Sequence, residues 1–165
     1  YEMKFLKLLG LLIFVFSCRG ESVDDLQKID QILHIYIKNS AGTDLLNNKN
    51  TESFYSVELK DLAADRDRVS VSANSKTDGD GTKFLEYIAG ANRILQPNST
   101  DAHQIYRSDI AVQYKTSDSA TVVEDRMEIF YDNTPQVFQI NSVIYNNVKI
   151  FQKVEGQPNI ITIVK

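Results

Sequence analysis

The sequence predicts an all-β sandwich. Three observations predict it: apolar and polar residues alternate in short runs, turn-forming residues recur about every ten positions, and no long stretch carries the 3.6-residue period of an amphipathic helix.

Residues 32–165 form the predicted β domain. Leu33, Ile35 and Ile37 alternate with His34, Tyr36 and Lys38, the pattern of a strand with one buried face. Residues 39–50, rich in Asn, Gly and Asp, then loop. Val69, Val71 and Ala73 alternate with Ser70 and Ser72; residues 74–81 are expected to turn and 83–89 to form a second strand, making a hairpin with a long tip. Ile110, Val112 and Tyr114 alternate with Ala111, Gln113 and Lys115. Residues 117–119 supply turn chemistry and 121–131 return, which is the clearest hairpin in the chain. A strand over 138–145 leads to Asn146 and Asn147, which tolerate the positive φ angles of a two-residue turn, and 148–151 resume the run. Residues 156–159 turn the chain into 160–164. The consecutive isoleucines there predict burial on both faces within a sheet.

About eight strands with no internal repeat and no interior linker define one domain, an immunoglobulin-like β-sandwich by first choice and a small β-barrel as the alternative. With one cysteine and no tryptophan, the chain lacks the disulfide and tryptophan of antibody-type domains, so strand number and patterning carry the class.

A different logic governs the start of the chain. Lys4 and Lys7 precede a compact apolar run from Leu8 to Phe16, and Ser17 stands before Cys18, the single cysteine. That run is shorter than the roughly twenty apolar residues a membrane-spanning helix needs, so residues 1–17 are a leader with a signal peptide rather than an anchor. Tyr1 and Glu2 precede Met3, the natural start of translation, and are expected to lie outside the fold. Residues 18–31 form a polar, acidic tether carrying Glu21, Asp24 and Asp25. Val23, Leu26, Ile29 and Ile32 recur every three residues and predict a short helix within it.

The whole chain carries a formal charge of −4. Removing residues 1–17 takes away two lysines and one glutamate and leaves 16 basic against 21 acidic residues, or −5. A mildly acidic domain without a basic, aromatic-interleaved stripe repels a phosphate backbone, which excludes nucleic acid as a partner.

Catalytic motifs are sparse. His34 falls on the polar face of a strand and His103 in a loop, both expected to be solvated, and no zinc spacing, nucleophile elbow or phosphate-cradling loop occurs. The carboxylate pairs Asp65 with Asp67 and Glu124 with Asp125 are adjacent in sequence, which does not set the separation a glycosidase needs. Asp78 and Asp80 flank Gly79 on a turn and are the weak candidates for a hard cation, but the pattern is first a turn former and the downstream glutamate of an EF-hand loop is missing. No metal or other cofactor is therefore expected. Asn98, Ser99 and Thr100 match a glycosylation sequon, a short pattern that recurs by coincidence. Tyr36, Tyr55, Tyr87, Tyr106, Tyr114, Tyr131 and Tyr145 lie mostly in predicted strands, where they are half-buried or form a recognition surface.

Val15, Phe16, Ser17 and Cys18 resemble a bacterial lipobox, and the acids after the cysteine resemble the export signal of some Bacteroidota lipoproteins. The stretch 35–46 and the closing stretch from Val143 through Asn146 to the final isoleucines resemble small Bacteroidota lipoproteins over much of the chain. The resemblance implies lipid attachment at Cys18 and a place on the bacterial outer membrane, at the cell surface or on its periplasmic face. A non-enzymatic binding or accessory module with a protein or glycan partner is the leading expectation. An envelope-polymer hydrolase or inhibitor, or a structural spacer, is the alternative. Intact mass and detergent partition should show acyl mass and membrane association for the wild type and neither for Cys18→Ala; an unmodified, soluble wild type would remove the anchor.

Overall fold

The computed structural model describes residues 26–165, where apolar alternation becomes twelve strands and no helix. In chain order they are β1 (Lys28–Asp30), β2 (Leu33–Lys38), β3 (Ser56–Asp61), β4 (Val69–Val71), β5 (Asn74–Thr77) and β6 (Lys83–Tyr87). The second half holds β7 (Ile94–Leu95), β8 (Gln104–Lys115), β9 (Val123–Asn133), β10 (Val137–Tyr145), β11 (Val148–Gln152) and β12 (Asn159–Val164).

Two sheets result. The larger runs β1-β10-β9-β8-β3-β4, with β11 also on β10 and β7 also on β8; the smaller runs β12-β2-β6-β5. On β10, β1 pairs with residues 137–139 and β11 with 142–145, so the two short strands share one edge end to end. In the same way β7 and β3 share an edge of β8. The pairs β1 with β10 and β12 with β2 are parallel, and the other ladders are antiparallel. The larger sheet curls as a half-barrel over the smaller one, so the expected sandwich and the barrel alternative meet in one all-β architecture.

The core lies between the inner faces. Ile110, Val112 and Tyr114 of β8 and Met127, Ile129 and Tyr131 of β9 belong to one cluster with Leu33, Ile35 and Ile37 of β2, Leu85 and Tyr87 of β6, and Ile161 and Ile163 of β12. Fully burying each such aliphatic side chain contributes about 1.5–3 kcal/mol.

Several sequence expectations change. The expected eight strands become twelve because β1, β3, β5 and β7 carry little apolar signal: β5 is exposed at every position, and β1 and β7 are three and two residues long. The expected helix around Ile29 is strand β1, and the chain therefore joins the sheet at Lys28, within the stretch assigned to the tether. Val69–Ala73 does not form a hairpin with 83–89. β4 pairs with β3 in the larger sheet, Ser72 and Ala73 cross over, and β5 makes the hairpin with β6. The last strand is not buried on both faces either: β12 is an edge strand that buries every second residue. Other expectations hold, including the β8–β9 hairpin and the Asn146–Asn147 turn, whose φ angles are 47° and 66°. The leader, Cys18 and the tether up to Asp25 lie outside the described residues.

Where the chain passes from β1 to β2 and from β11 to β12, a polar clasp joins the crossings. Lys153 Nζ donates to Asp30 Oδ2 at 2.6 Å, to the Gln157 carbonyl at 2.7 Å and to Asn159 Oδ1 at 3.0 Å. Asn159 Nδ2 donates to Asp30 Oδ1 at 2.9 Å and to the Ile32 carbonyl at 3.0 Å. The Lys153 side chain is 5% exposed, so its ammonium has exchanged water for three protein acceptors. Lys153→Met should leave Asp30 and Asn159 short of a donor and cost about 2–3 kcal/mol in urea unfolding with an unchanged m-value; a loss under about 0.5 kcal/mol would show the clasp to be dispensable.

Candidate functional site

The two sheets differ in length. β8 and β9 run 12 and 11 residues against 6 and 5 for β2 and β6. At about 3.3 Å per residue the long pair outreaches the short one by about 20 Å. At the end where β8 begins and β9 finishes, the inner face of the larger sheet becomes a shelf.

Strand register assembles that shelf in two rows. In the first, Leu95 of β7 faces Tyr106 of β8, Tyr106 faces Tyr131 of β9, and Tyr131 faces Ile140 of β10. In the second, Gln104 faces Asn133, Asn133 faces Phe138, and Phe138 pairs with Ile29 of β1. Leu95 and Ile29 are 52% and 57% exposed at the two rims, while Tyr131 and Phe138 are buried between them. The Tyr131 and Phe138 rings stack with centroids 5.5 Å apart. The Arg93 guanidinium covers both, 4.9 Å from the Tyr131 centroid and 4.5 Å from that of Phe138, held there by a 2.6 Å hydrogen bond to Gln31 Oε1.

Beside the rings runs a chain of neutral hydrogen-bonding groups. Gln27 Nε2 donates to Asn133 Oδ1 at 2.8 Å, Asn133 Nδ2 donates to Gln104 Oε1 at 2.8 Å, and the Tyr106 hydroxyl donates to the same oxygen at 3.0 Å. Gln27 Nε2 also donates to the Thr134 carbonyl at 2.6 Å. A recess of about 230 Å³ opens here, lined by Gln27, Asp101, Gln104 and Asn133 among others. A larger recess of about 290 Å³ follows the crossing from β4 to β5, and another of about 420 Å³ lies in the loop from Asn39 to Glu52. The first of these offers mainly apolar strand residues and the second mainly loop polar groups. The shelf combines aromatic, aliphatic and amide surface, which suits it to hold a ligand having both apolar and hydroxyl or amide faces.

The residues singled out in the sequence are dispersed. His34 lies on the outer face of the smaller sheet, 3.4 Å from Glu86, its ring against Phe84; His103 Nε2 is 2.9 Å from Asp132 Oδ1. Asp67 pairs with Arg68 at 2.7 Å. Asp78 Oδ1 accepts from the backbone N–H of Asp80 and Thr82, and Oδ2 from the Tyr36 hydroxyl at 3.1 Å, so Asp78 organises the β5–β6 turn. Among the described residues no three His, Cys, Asp or Glu side chains are grouped to hold a metal. Ser99 of the sequon bonds both backbone groups of Ile105. Of the seven tyrosines, Tyr87, Tyr114, Tyr131 and Tyr145 are buried, Tyr36 and Tyr106 half-buried, and Tyr55 exposed.

Glu124 and Asp125, neighbours in β9, are sent to opposite faces by the strand period. Glu124 accepts from Arg68 and from Gln113 on the outer face. Asp125 closes an inner network: the Tyr114 and Tyr145 hydroxyl oxygens are 2.7 Å apart, Tyr145 and Lys165 donate to Asp125 Oδ2, and Asn146 Nδ2 donates to Oδ1 at 2.9 Å. Burial works against ionisation of Asp125, yet the donors Lys165, Tyr145 and Asn146 outweigh it and hold the carboxyl below the ordinary aspartate range. Burial pushes the Tyr114 and Tyr145 phenols well above theirs. The arrangement keeps a carboxylate charged and two phenols neutral, locking the far end of the sandwich.

No family model, no curated protein and no solved structure matches this chain. Sequence reasoning missed the shelf because Gln27, Arg93, Leu95, Gln104, Asn133 and Phe138 come from separate segments and meet through strand register alone.

The lowered Asp125 value fixes the sign of a pH effect. Its network contributes stability above the unfolded aspartate value near 4 that is lost as pH falls through the folded value. Stability should drop below about pH 4 in the wild type and with a shallower slope in Asp125→Asn. In alkali, Tyr114, Tyr131 and Tyr145 should stay protonated past about pH 11 until the protein unfolds, as read by ultraviolet titration. Ionisation of Tyr114, Tyr131 and Tyr145 near pH 10 in the folded state would contradict their burial.

Proposed function

We propose that this chain is a non-enzymatic binding module of the bacterial cell envelope, lipid-anchored through Cys18 and resembling the small lipoproteins of Bacteroidota. Two acyl chains or more on that cysteine hold a soluble domain stably on a membrane, at about 0.8 kcal/mol per buried methylene. The single observation that carries the binding reading is the shelf, where Leu95 and Tyr106 lie beside the amides of Gln104 and Asn133. Apolar rings and neutral amides side by side are what a ligand with a flat apolar face and a polar perimeter requires.

The experiment uses the full chain with Cys18→Ala, so that anchoring does not enter. Nuclear magnetic resonance titration with neutral oligosaccharides and with uncharged peptides should move the backbone signals of Leu95, Tyr106, Asn133 and Phe138 together. Tyr106→Ala combined with Gln104→Ala should weaken binding at least tenfold, equivalent to about 1.4 kcal/mol, with little change in the folded-state spectrum elsewhere. If the shelf signals stay still throughout, the binding assignment is wrong.

A further inference from the structure

We infer that the shelf faces the membrane that holds Cys18 and takes a neutral saccharide carried on that membrane's own surface. This rests on the lipid-anchored binding reading and adds to it a direction and a ligand class.

Topology supplies the direction. β1 is parallel to β10 with Lys28 opposite Val137, so the chain before Lys28 continues past Val137 toward the turn that joins β9 to β10. Gln27 confirms the course by bonding Asn133 and the Thr134 carbonyl of that turn. The chain thus leaves the domain at the shelf, and Gln27 is part of its recess. The opposite end carries the Asn146–Asn147 turn and the Lys165–Asp125 contact. From Lys28 back to Cys18 is ten residues, a span of at most about 36 Å. An acylated Cys18 therefore holds the shelf within that distance of the headgroups.

The lining supplies the ligand class. Gln27, Gln104 and Asn133 are uncharged, and Gln104 Nε2 has no partner among the described residues. Arg93 lies over the Tyr131 and Phe138 rings and gives an N–H to Gln31, so an anionic headgroup would have to compete with those contacts for the guanidinium. Asp101 at the recess further disfavours an anion. A sugar ring presents C–H faces to Tyr106 and Leu95 and hydroxyls to the amides. A peptide would instead seek the backbone groups of an unpaired strand edge, whereas the shelf is a sheet face where side chains do the recognising.

The test compares one trisaccharide of neutral hexoses in two forms: free, and as the headgroup of a lipid in phosphatidylethanolamine vesicles. The acylated chain on sugar-bearing vesicles should show slowed amide exchange in β7 and at the start of β8, and plain vesicles should not. Inserting about fifteen Gly/Ser residues between Cys18 and Gln27 should weaken the vesicle-borne interaction about fourfold, through the fall of effective concentration with tether length. The same insertion in a Cys18→Ala chain should leave binding of the free trisaccharide unchanged. Protection by plain vesicles would make the ligand a lipid headgroup and overturn the saccharide. Binding of the free trisaccharide without protection on sugar-bearing vesicles would overturn the membrane-facing placement and leave the binding reading standing. Shelf shifts with peptide alone would overturn the ligand class, and no response to any probe would remove both readings.

Discussion

The ladder between β8 and β9 is the constraint on which the rest of this fold depends. Eleven consecutive residue pairs, from Gln104 opposite Asn133 to Tyr114 opposite Val123, hold the two longest strands in one register. A slip of β9 by one residue against β8 would turn Met127 and Ile129 out of the core and bring Arg126 and Glu128 in. The same register places Tyr106 beside Tyr131 and sends Glu124 and Asp125 to opposite faces. Core, shelf and far-end network are thus three consequences of one alignment.

Around that ladder the sandwich is closed by polar clasps rather than covalent bonds. The Lys153–Asp30–Asn159 cluster ties the crossings between sheets at one side, and Asp125 with Tyr145 and Lys165 ties the start of β9 and the end of β10 to the end of the smaller sheet. On the outer face, Arg107 and Arg126 alternate with Asp109 and Glu128 in a closed ring of ion pairs between 2.9 and 3.5 Å. Such groups lose hydration on folding, so their geometry matters more to a unique arrangement than to gross stability. The aliphatic core supplies most of the driving force.

The molecule also has a direction. Its two ends differ in chemistry: one gathers a charged carboxylate, an ammonium and two neutral phenols into a locked network, and the other opens an aromatic and amide surface where the chain departs toward Cys18. Under the proposed attachment at Cys18, the reach of the shelf is set by the ten-residue step from Cys18 to Lys28, which is why tether length and ligand location belong to the same question.

The strongly periodic strands were legible in the sequence because alternation in β2 and at the end of β8 reports burial directly. The turn at Asn146 and Asn147 was equally legible, since these residues tolerate the left-handed backbone the hairpin demands. β5 and β1 were not, because an exposed strand is defined by its hydrogen-bonded neighbour and leaves no apolar trace. The isoleucines of β12 misled for a related reason: an edge strand can expose Ile160 and still bury Ile161, and edge position is a property of the sheet. The sequence by itself determined the all-β class and the core faces of β2 and the end of β8, each a local pattern of hydrophobicity. Only the tertiary structure decided which strands share an edge, where the larger sheet outruns the smaller, and that Gln104, Asn133 and Phe138 form one surface, because pairing across distant segments fixes those neighbours and no single segment encodes them.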